Sequence, residues 1–351
     1  MAMTAPDSDV LPPLSPSCDN RLLWDVWLSG FHLPALTAAD ELGLFPYLDS
    51  TPSDVPRIAE HFNLSLRACE ALINLLCALG FLTKRNGAYH PTELARNYLL
   101  PHSPYYWGGV LHTVKHMPIS HAMIWEALHR DTGNVSRLTK PFTDDWEQNT
   151  LSQEQARKFT AKMHSHGFAA AVTLARSRIF HDVRSLLDIG GGSGAYSIAL
   201  AATHPHLHCT IAELPQVCPI TQQYIDAFDL ADRVRTLALD MFKDRWPHGQ
   251  DAILFSDILH DWERSRCLWL LKNSYEHLPS GGRIFLHEVL LNDDKIGPLA
   301  ANAYSLAMLL VTKGQQFTAG ELEGMLAEAG FIDISSAPAH AYYSLVSGYK
   351  A

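Results

Sequence analysis

The chain has 351 residues, 47% of them hydrophobic and 18% charged, with a formal net charge of -10. That length carries enough apolar material for two compact domains, and the acidic balance disfavours general binding to nucleic acid or to an anionic membrane surface. No apolar run reaches the ~18 residues of a membrane-spanning helix, so no membrane partner is expected.

Residues 1–20 are rich in Pro, Ser and Asp and read as a disordered lead-in without a secretory signal. The six cysteines form no CxxC pair, which predicts reduced thiols and a cytoplasmic location. From Arg21 the pattern is helical: Trp24, Trp27, Leu28 and Phe31 fall at helix spacing, and the next segment repeats it with a stop expected at Pro46. Two further helices, VPRIAEHF and LRACEALINLLCALGFL, flank a turn in which Ser65 can cap the second. Asn86-Gly87 between β-prone residues then predicts a tight hairpin. Helix, turn, helix and hairpin describe a winged helix over residues 21–100. Residues 51–100 hold five basic and four acidic side chains, and the second helix offers almost no polar face for a DNA groove. A protein–protein role for this unit is the better expectation.

Residues 101–180 are again helical and end in a long segment, EQARKFTAKMHSHGFAAAVTLARSRIF. The 19 histidines invite a metal reading. His112 and His116 share a helix face, but Pro118 interrupts before His121 and no carboxylate follows at ligand spacing, so no metal is expected.

Beyond about residue 181, strand-like runs alternate with helical ones (SLLDIG, CTIAEL, VRTLALD, AILFSDIL, RIFLHEVLL), which predicts a parallel α/β sheet. FIDISSA and YYSLVSGYK should finish it as an antiparallel pair. The first strand runs into Asp188-Ile189-Gly190-Gly191-Gly192-Ser193-Gly194, a turn whose glycines let a ligand rest on bare backbone. Glu213 ends the second strand, where a carboxylate can accept both hydroxyls of a ribose. Asp240 ends the third, followed by Met241 and Phe242, an apolar pair fit to flank a purine. Together these residues describe a nucleoside crevice. Asp188 stands where a pyrophosphate would be repelled, and it suits a sulfonium ligand, which points to S-adenosylmethionine rather than a dinucleotide.

LLDIGGGSG, AELPQV, ALDMF, ILHDW and GGRIFLHEVLL together resemble the small-molecule O-methyltransferases of plant caffeate and bacterial acetylserotonin or antibiotic-tailoring type. The resemblance spans about residues 20–350. It implies a Rossmann-like class I methyltransferase sheet over residues 181–351, a helical substrate cap and linker over 101–180, and a winged-helix N-terminal homodimerisation domain. It implies S-adenosyl-L-methionine held by Gly190, Gly192, Glu213, Leu214, Asp240 and Met241, and a small aromatic or secondary-metabolite acceptor.

His260 follows the fourth strand and matches the family's general base, and Glu288 matches the carboxylate beside it. His287 should point to the opposite face of its strand. Two positions depart from the plant pattern: Ser256 stands where a cofactor-holding lysine is found, and Gln316 replaces a second glutamate. Gln316 can orient a substrate but takes no proton. Phe159 and Met163, at i,i+4, match positions near the acceptor, with Trp262, Met308 and the stretch from Trp107 to Met117 as further walls. The Gln316 departure leaves C- or N-methylation, or a relative with another reaction, as alternatives, and a winged-helix regulator as a third.

Overall fold

The computed structural model describes residues 17–130, 142–148 and 150–351. They divide into two compact units, one ending at Arg96 and one beginning at Asn97.

The first unit contains α1 (Arg21–Ser29), α2 (His32–Glu41), α3 (Leu44–Ser50), α4 (Val55–His61), α5 (Leu66–Ala78), β1 (Leu82–Arg85) and β2 (Ala88–Pro91), and α6 (Glu93–Tyr98) runs out of it. The Asp54 side chain accepts the N–H of Arg57 at the start of α4, and Ser65 accepts that of Ala68 at the start of α5. Asn86 and Gly87 take φ of 51° and 82°, the left-handed pair of a tight turn that joins the antiparallel β1 and β2. The stop expected at Pro46 falls elsewhere. The chain breaks at Gly43, φ 72°, and Pro46 lies in the first turn of α3, where its missing N–H leaves no helical bond unmade. Phe45, Leu48, Ile58, Ile73 and Leu76 close the core of this unit. Trp24, Trp27 and Leu28 of α1 and Phe31 just after it stay at least 40% exposed, so this apolar stripe has no covering partner among the described residues.

The second unit begins with α7 (Gly108–His116), α8 (His121–Arg130), α9 (Phe142–Gln148) and α10 (Gln153–Ala175). Ser152 and Gln155 form a reciprocal capping box that starts α10, which packs on α7 and on α11 (Ala195–Thr203). The sheet and its helices follow as β3 (Ser185–Ile189), α11, β4 (His208–Glu213), α12 (Cys218–Ala227), β5 (Val234–Ala238), β6 (Ala252–Ser256), α13 (Arg264–His277), β7 (Arg283–Val289), α14 (Leu299–Val311), α15 (Ala319–Glu328), β8 (Phe331–Pro338) and β9 (Tyr343–Lys350).

Seven strands order as β5-β4-β3-β6-β7-β9-β8, parallel except for β9, which runs antiparallel to both its neighbours. Helices cover both faces, so the strands read as continuous apolar runs rather than strict alternation. Side chains still alternate between two cores: Ile253, Phe255, Ile284 and Leu286 pack on one face, and Leu254 and Phe285 on the other. β5 ends at Ala238, two residues before Asp240, so the third acid stands on the loop beyond the strand rather than at its last position.

Candidate active site

The chain runs outward from β3 to β5, then returns to lay β6 beside β3. Strand order reverses there, and the crevice outside the carboxyl ends of β3 and β6 is where an open α/β sheet receives a ligand.

On the β3 side, Gly190, Gly192 and Gly194 take φ of 67°, 56° and 76°. A Cβ at Gly190 would lie 2.5 Å from Ile258 Cδ1, so this position needs glycine for dihedral and for space alike. Asp188 is 1% exposed, with Oδ2 accepting the Ser197 hydroxyl at 2.7 Å. Burial pushes its pKa up to about 6, against the hydrogen bonds from Ser197. The carboxyl thus lies beneath the turn, fixing the start of α11, rather than open to the crevice. Glu213, half-buried at the end of β4, accepts the N–H of Leu214 and that of Gly192, and burial raises its pKa to about 7. Asp240 accepts the N–H of Phe242 at 3.0 Å and pairs with Lys243 at 2.7 Å. Met241 is held through its carbonyl by the Trp246 indole at 2.9 Å. Phe242 meets Trp262 edge-on at 4.7 Å, under the Arg266 guanidinium.

This cradle fits an adenosine-bearing ligand. A Cβ at Gly192 would meet nothing within 4 Å, so the turn presents bare backbone beside a half-buried carboxylate and a pair of partly exposed apolar side chains.

On the β6 side, Ser256 hydrogen-bonds His287 Nδ1 at 3.0 Å, and His287 stacks on Tyr343. His287 therefore turns toward Ser256 and Tyr343, while the next residue, Glu288, turns toward His260, as strand alternation requires. Asp257 takes φ of 54°, and a single 3-10 turn, Leu259–Asp261, carries His260. Glu288 reaches across from β7. Its Oε1 accepts the N–H of Ile258 at 3.1 Å and of Leu259 at 2.9 Å, while Oε2 lies 2.8 Å from His260 Nδ1. That last contact is an ion pair off the ideal N–H axis. Asp257 Oδ1 is 3.9 Å from Nδ1, and Asp261 Oδ1 is 3.6 Å from Nε2.

Burial alone would lower the imidazole pKa, but Glu288, Asp261 and Asp257 outweigh it and push it well above the ordinary value. Burial likewise raises Asp257 and Asp261 above the usual carboxylate range, against the pull of His260. These groups titrate as one cluster that shares its protons. Tyr343 donates to Asp257 Oδ2 at 2.7 Å, and His166 Nδ1 lies 3.1 Å from the same hydroxyl. Tyr304 meets the His260 ring edge-on at 5.3 Å.

Asp257, His260 and Glu288 also place one ligand atom each within 4.8 Å of one another, a grouping of metal-ligand type that histidine spacing alone did not expose. Here Glu288 already holds two backbone N–H groups and contacts the imidazole directly.

The predicted acceptor residues converge only in part. Phe159, at 5.4 Å from Trp146, connects through that ring to Trp262 at 6.3 Å. Met163 lies one helical turn further along α10, half-buried. Met308 is buried one turn beyond Tyr304 on α14. Gln316 is 1% exposed, and among the described residues neither atom of its amide has a hydrogen-bond partner. Its loop presses on the base: a Cβ at Gly314 would overlap the His260 carbonyl oxygen, although Gly314 has no positive φ. Trp107 lies 6.1 Å from His166, whereas Met117 is 41% exposed at the end of α7.

The sequence reading missed Asp257, Tyr304, Tyr343, Trp146, Lys162 and His166. The last two carried a signal, since they share the helix face of Phe159 and Met163.

A sheet of this order with an antiparallel last pair, a glycine cradle and carboxylates at its switch point defines a class I S-adenosylmethionine-dependent methyltransferase. Residues 130–332 match the O-methyltransferase domain, and residues 27–101 match the O-methyltransferase dimerisation domain. The chain is 35% identical to the 3-hydroxy-5-methyl-1-naphthoate 3-O-methyltransferase of Streptomyces sahachiroi, over 89% of this chain and 90% of that one. It is 29% identical to acetylserotonin O-methyltransferase of Homo sapiens, over 94% and 97%. The crystal structure of human N-acetylserotonin methyltransferase in complex with SAM matches with a TM-score of 0.79 at 27% identity, covering 96% of this chain and 100% of that one. The chain belongs to the S-adenosylmethionine-dependent O-methyltransferase family. The fold class and cofactor expected from the sequence are those of that family, and the helical N-terminal unit is its dimerisation domain.

Proposed function

We propose that this enzyme methylates a hydroxyl of a small aromatic, secondary-metabolite acceptor, with His260 as general base and Glu288 as its partner. The observation that carries the reading is the 2.8 Å contact between His260 Nδ1 and Glu288 Oε2, in a carboxylate whose other oxygen is fixed by two backbone N–H groups. Once the imidazole has given up its second proton, that contact keeps the remaining one on Nδ1 and leaves the Nε2 lone pair for the acceptor hydroxyl. A phenol with a pKa of about 10 is mostly neutral at pH 7, so removal of its proton during attack helps. S-adenosylmethionine, when bound, supplies an electrophilic methyl on a positively charged sulfur.

Glu213 would take the ribose hydroxyls, with Gly190, Gly192 and Leu214 presenting backbone, and Asp240, Met241 and Phe242 would frame the adenine. Ser256 and Asp188 act indirectly, through His287 and through the seat of the glycine turn. Phe159, Met163, Trp262 and Met308 supply the apolar wall of the acceptor site, and the unpartnered Gln316 amide supplies a group to orient the acceptor. The likeness to a naphthoate O-methyltransferase supports a fused aromatic acceptor.

The cluster's attraction for protons fits a base that releases its proton more readily once a cation occupies the crevice. The exposed stripe of Trp24, Trp27, Leu28 and Phe31 supports a homodimer built through the winged-helix unit. The free cysteines, of which only Cys18 is exposed, suit a reducing cytoplasm.

The test is His260→Ala, with cofactor binding read by calorimetry and methyl addition to hydroxynaphthoates and phenols read by mass. Binding should stay within about threefold while transfer falls by about 10²–10⁴-fold. Transfer at the wild-type rate would remove His260 from the mechanism.

A further inference from the structure

Four side chains at helix spacing, Phe159, Lys162, Met163 and His166, share one face of α10. Two of them tie that face to the base. His166 reaches Tyr343 and lies 4.0 Å from Asp257, and Phe159 joins Trp262 through Trp146. Lys162 lies between them, half-buried, with Nζ 5.9 Å from the centroid of the Phe159 ring. Among the described residues no carboxylate comes within 4.0 Å of this ammonium, and no hydrogen bond reaches it.

Asp261 and Asp257 attract this ammonium from beyond ion-pair distance, and burial, the larger effect, lowers its pKa. His166 cannot share the role of cation, because burial first, then Lys162 and His260, bring its pKa down to about 4. A half-buried charge without a partner is unfavourable, and a bound molecule carrying the opposite charge removes the penalty. The acids around His260 limit that molecule to a small negative charge. A carboxylate fits better than a phosphoryl group.

We propose that Lys162 is the counter-ion for a carboxylate on the acceptor, so that the enzyme selects hydroxyaryl carboxylates over neutral phenols. The proposal rests on the reading of the His260 face as the acceptor site. It gives α10 a division of labour, in which Phe159 and Met163 contact the ring and Lys162 fixes which way the acid group points.

The test pairs 3-hydroxy-1-naphthoate with 2-naphthol, the same hydroxyarene without its carboxylate. Binding to the full-length protein saturated with S-adenosylhomocysteine is read by calorimetry, and methyl transfer with S-adenosylmethionine is read by mass. The wild type should bind the naphthoate at least about tenfold more tightly than the naphthol. Lys162→Met should weaken the naphthoate by about 30-fold and the naphthol by less than about threefold, and Lys162→Arg should recover most of the difference. A melting temperature for Lys162→Met at or above wild type shows that the fold is intact. Equal affinity of the two compounds, no binding of either, or equal losses in Lys162→Met would overturn the proposal. A carboxylate preference without methyl transfer to either compound would instead sink the hydroxyl-transfer reading and leave the counter-ion standing.

Discussion

The two sides of the crevice are built in opposite ways. The β3 side is local: Asp188, the glycine turn and Glu213 come from a stretch of 26 residues in sequence, and their polar groups satisfy one another. The β6 side is assembled from α10, the turn after β6, β7, α14 and β9, and among the described residues it keeps the Gln316 amide without a hydrogen bond and the Lys162 ammonium without an adjacent ion pair. A binding surface for a constant ligand can be closed and self-supporting. One that must accept a variable partner and move a proton holds some of its charge unmatched until that partner arrives.

The sharpest way to break this contrast is Gly190→Ala. A Cβ there meets Ile258, which stands between the glycine turn and the base, in a backbone conformation unfavourable for alanine. Cofactor affinity should fall by more than about 100-fold, since both strain and steric overlap oppose the native turn. Calorimetric binding within tenfold of wild type would show that the turn tolerates the change.

Glu288→Gln should act on the other side alone. The amide oxygen can still accept from Ile258 and Leu259, but the charge that holds the imidazole is gone, so kcat should drop by about 30-fold with cofactor affinity nearly unchanged. The pH profile carries the sign. In the wild type the acids hold a proton on His260, so activity should rise with pH above the ordinary imidazole range, and Glu288→Gln should shift that rise to lower pH. A profile that stays in place would mean that Glu288 does not set the proton affinity of the base.

Asp188→Asn tests the closed side by stability, with the smallest effect. The folded-state pKa of Asp188 is raised to about 6 by burial. Its contribution is therefore fully present below the unfolded carboxylate pKa and is lost as pH rises through about 6. The stability of the variant relative to wild type, from urea unfolding, should grow by up to ~3 kcal/mol between pH 4 and pH 7. A gap that does not change with pH would mean that the carboxyl is not held out of water in the folded protein.

The same contrast explains what could be read from the residues in advance. The β3 side was legible because strand, glycine turn, helix and the acid after the next strand lie in one βαβ unit whose spacing is set by backbone geometry. His260 and Glu288 were legible only through motifs, and their contact depends on β6 and β7 being neighbours. Tyr343 and Tyr304 were not legible, because no local period tells which distant strand or helix will face Asp257 or His260. Asp188 shows the converse limit: it lies near the end of β3, where the strand pattern places it, but chain order could not show that Ser197, nine residues later, would engage the carboxyl beneath the turn. Pro46 was misread because a proline in a first helical turn looks the same in sequence as one that ends a helix.

The close approach of Gly314 to the His260 backbone has a consequence for how such an enzyme can change under selection. In a library of all single substitutions scored for activity, position 314 should be nearly as intolerant as the base itself, although no chemistry passes through it. Its neighbours Gln315 and Gln316 could then diversify to suit new acceptors, while the residue between them and the catalytic turn stays fixed for want of room.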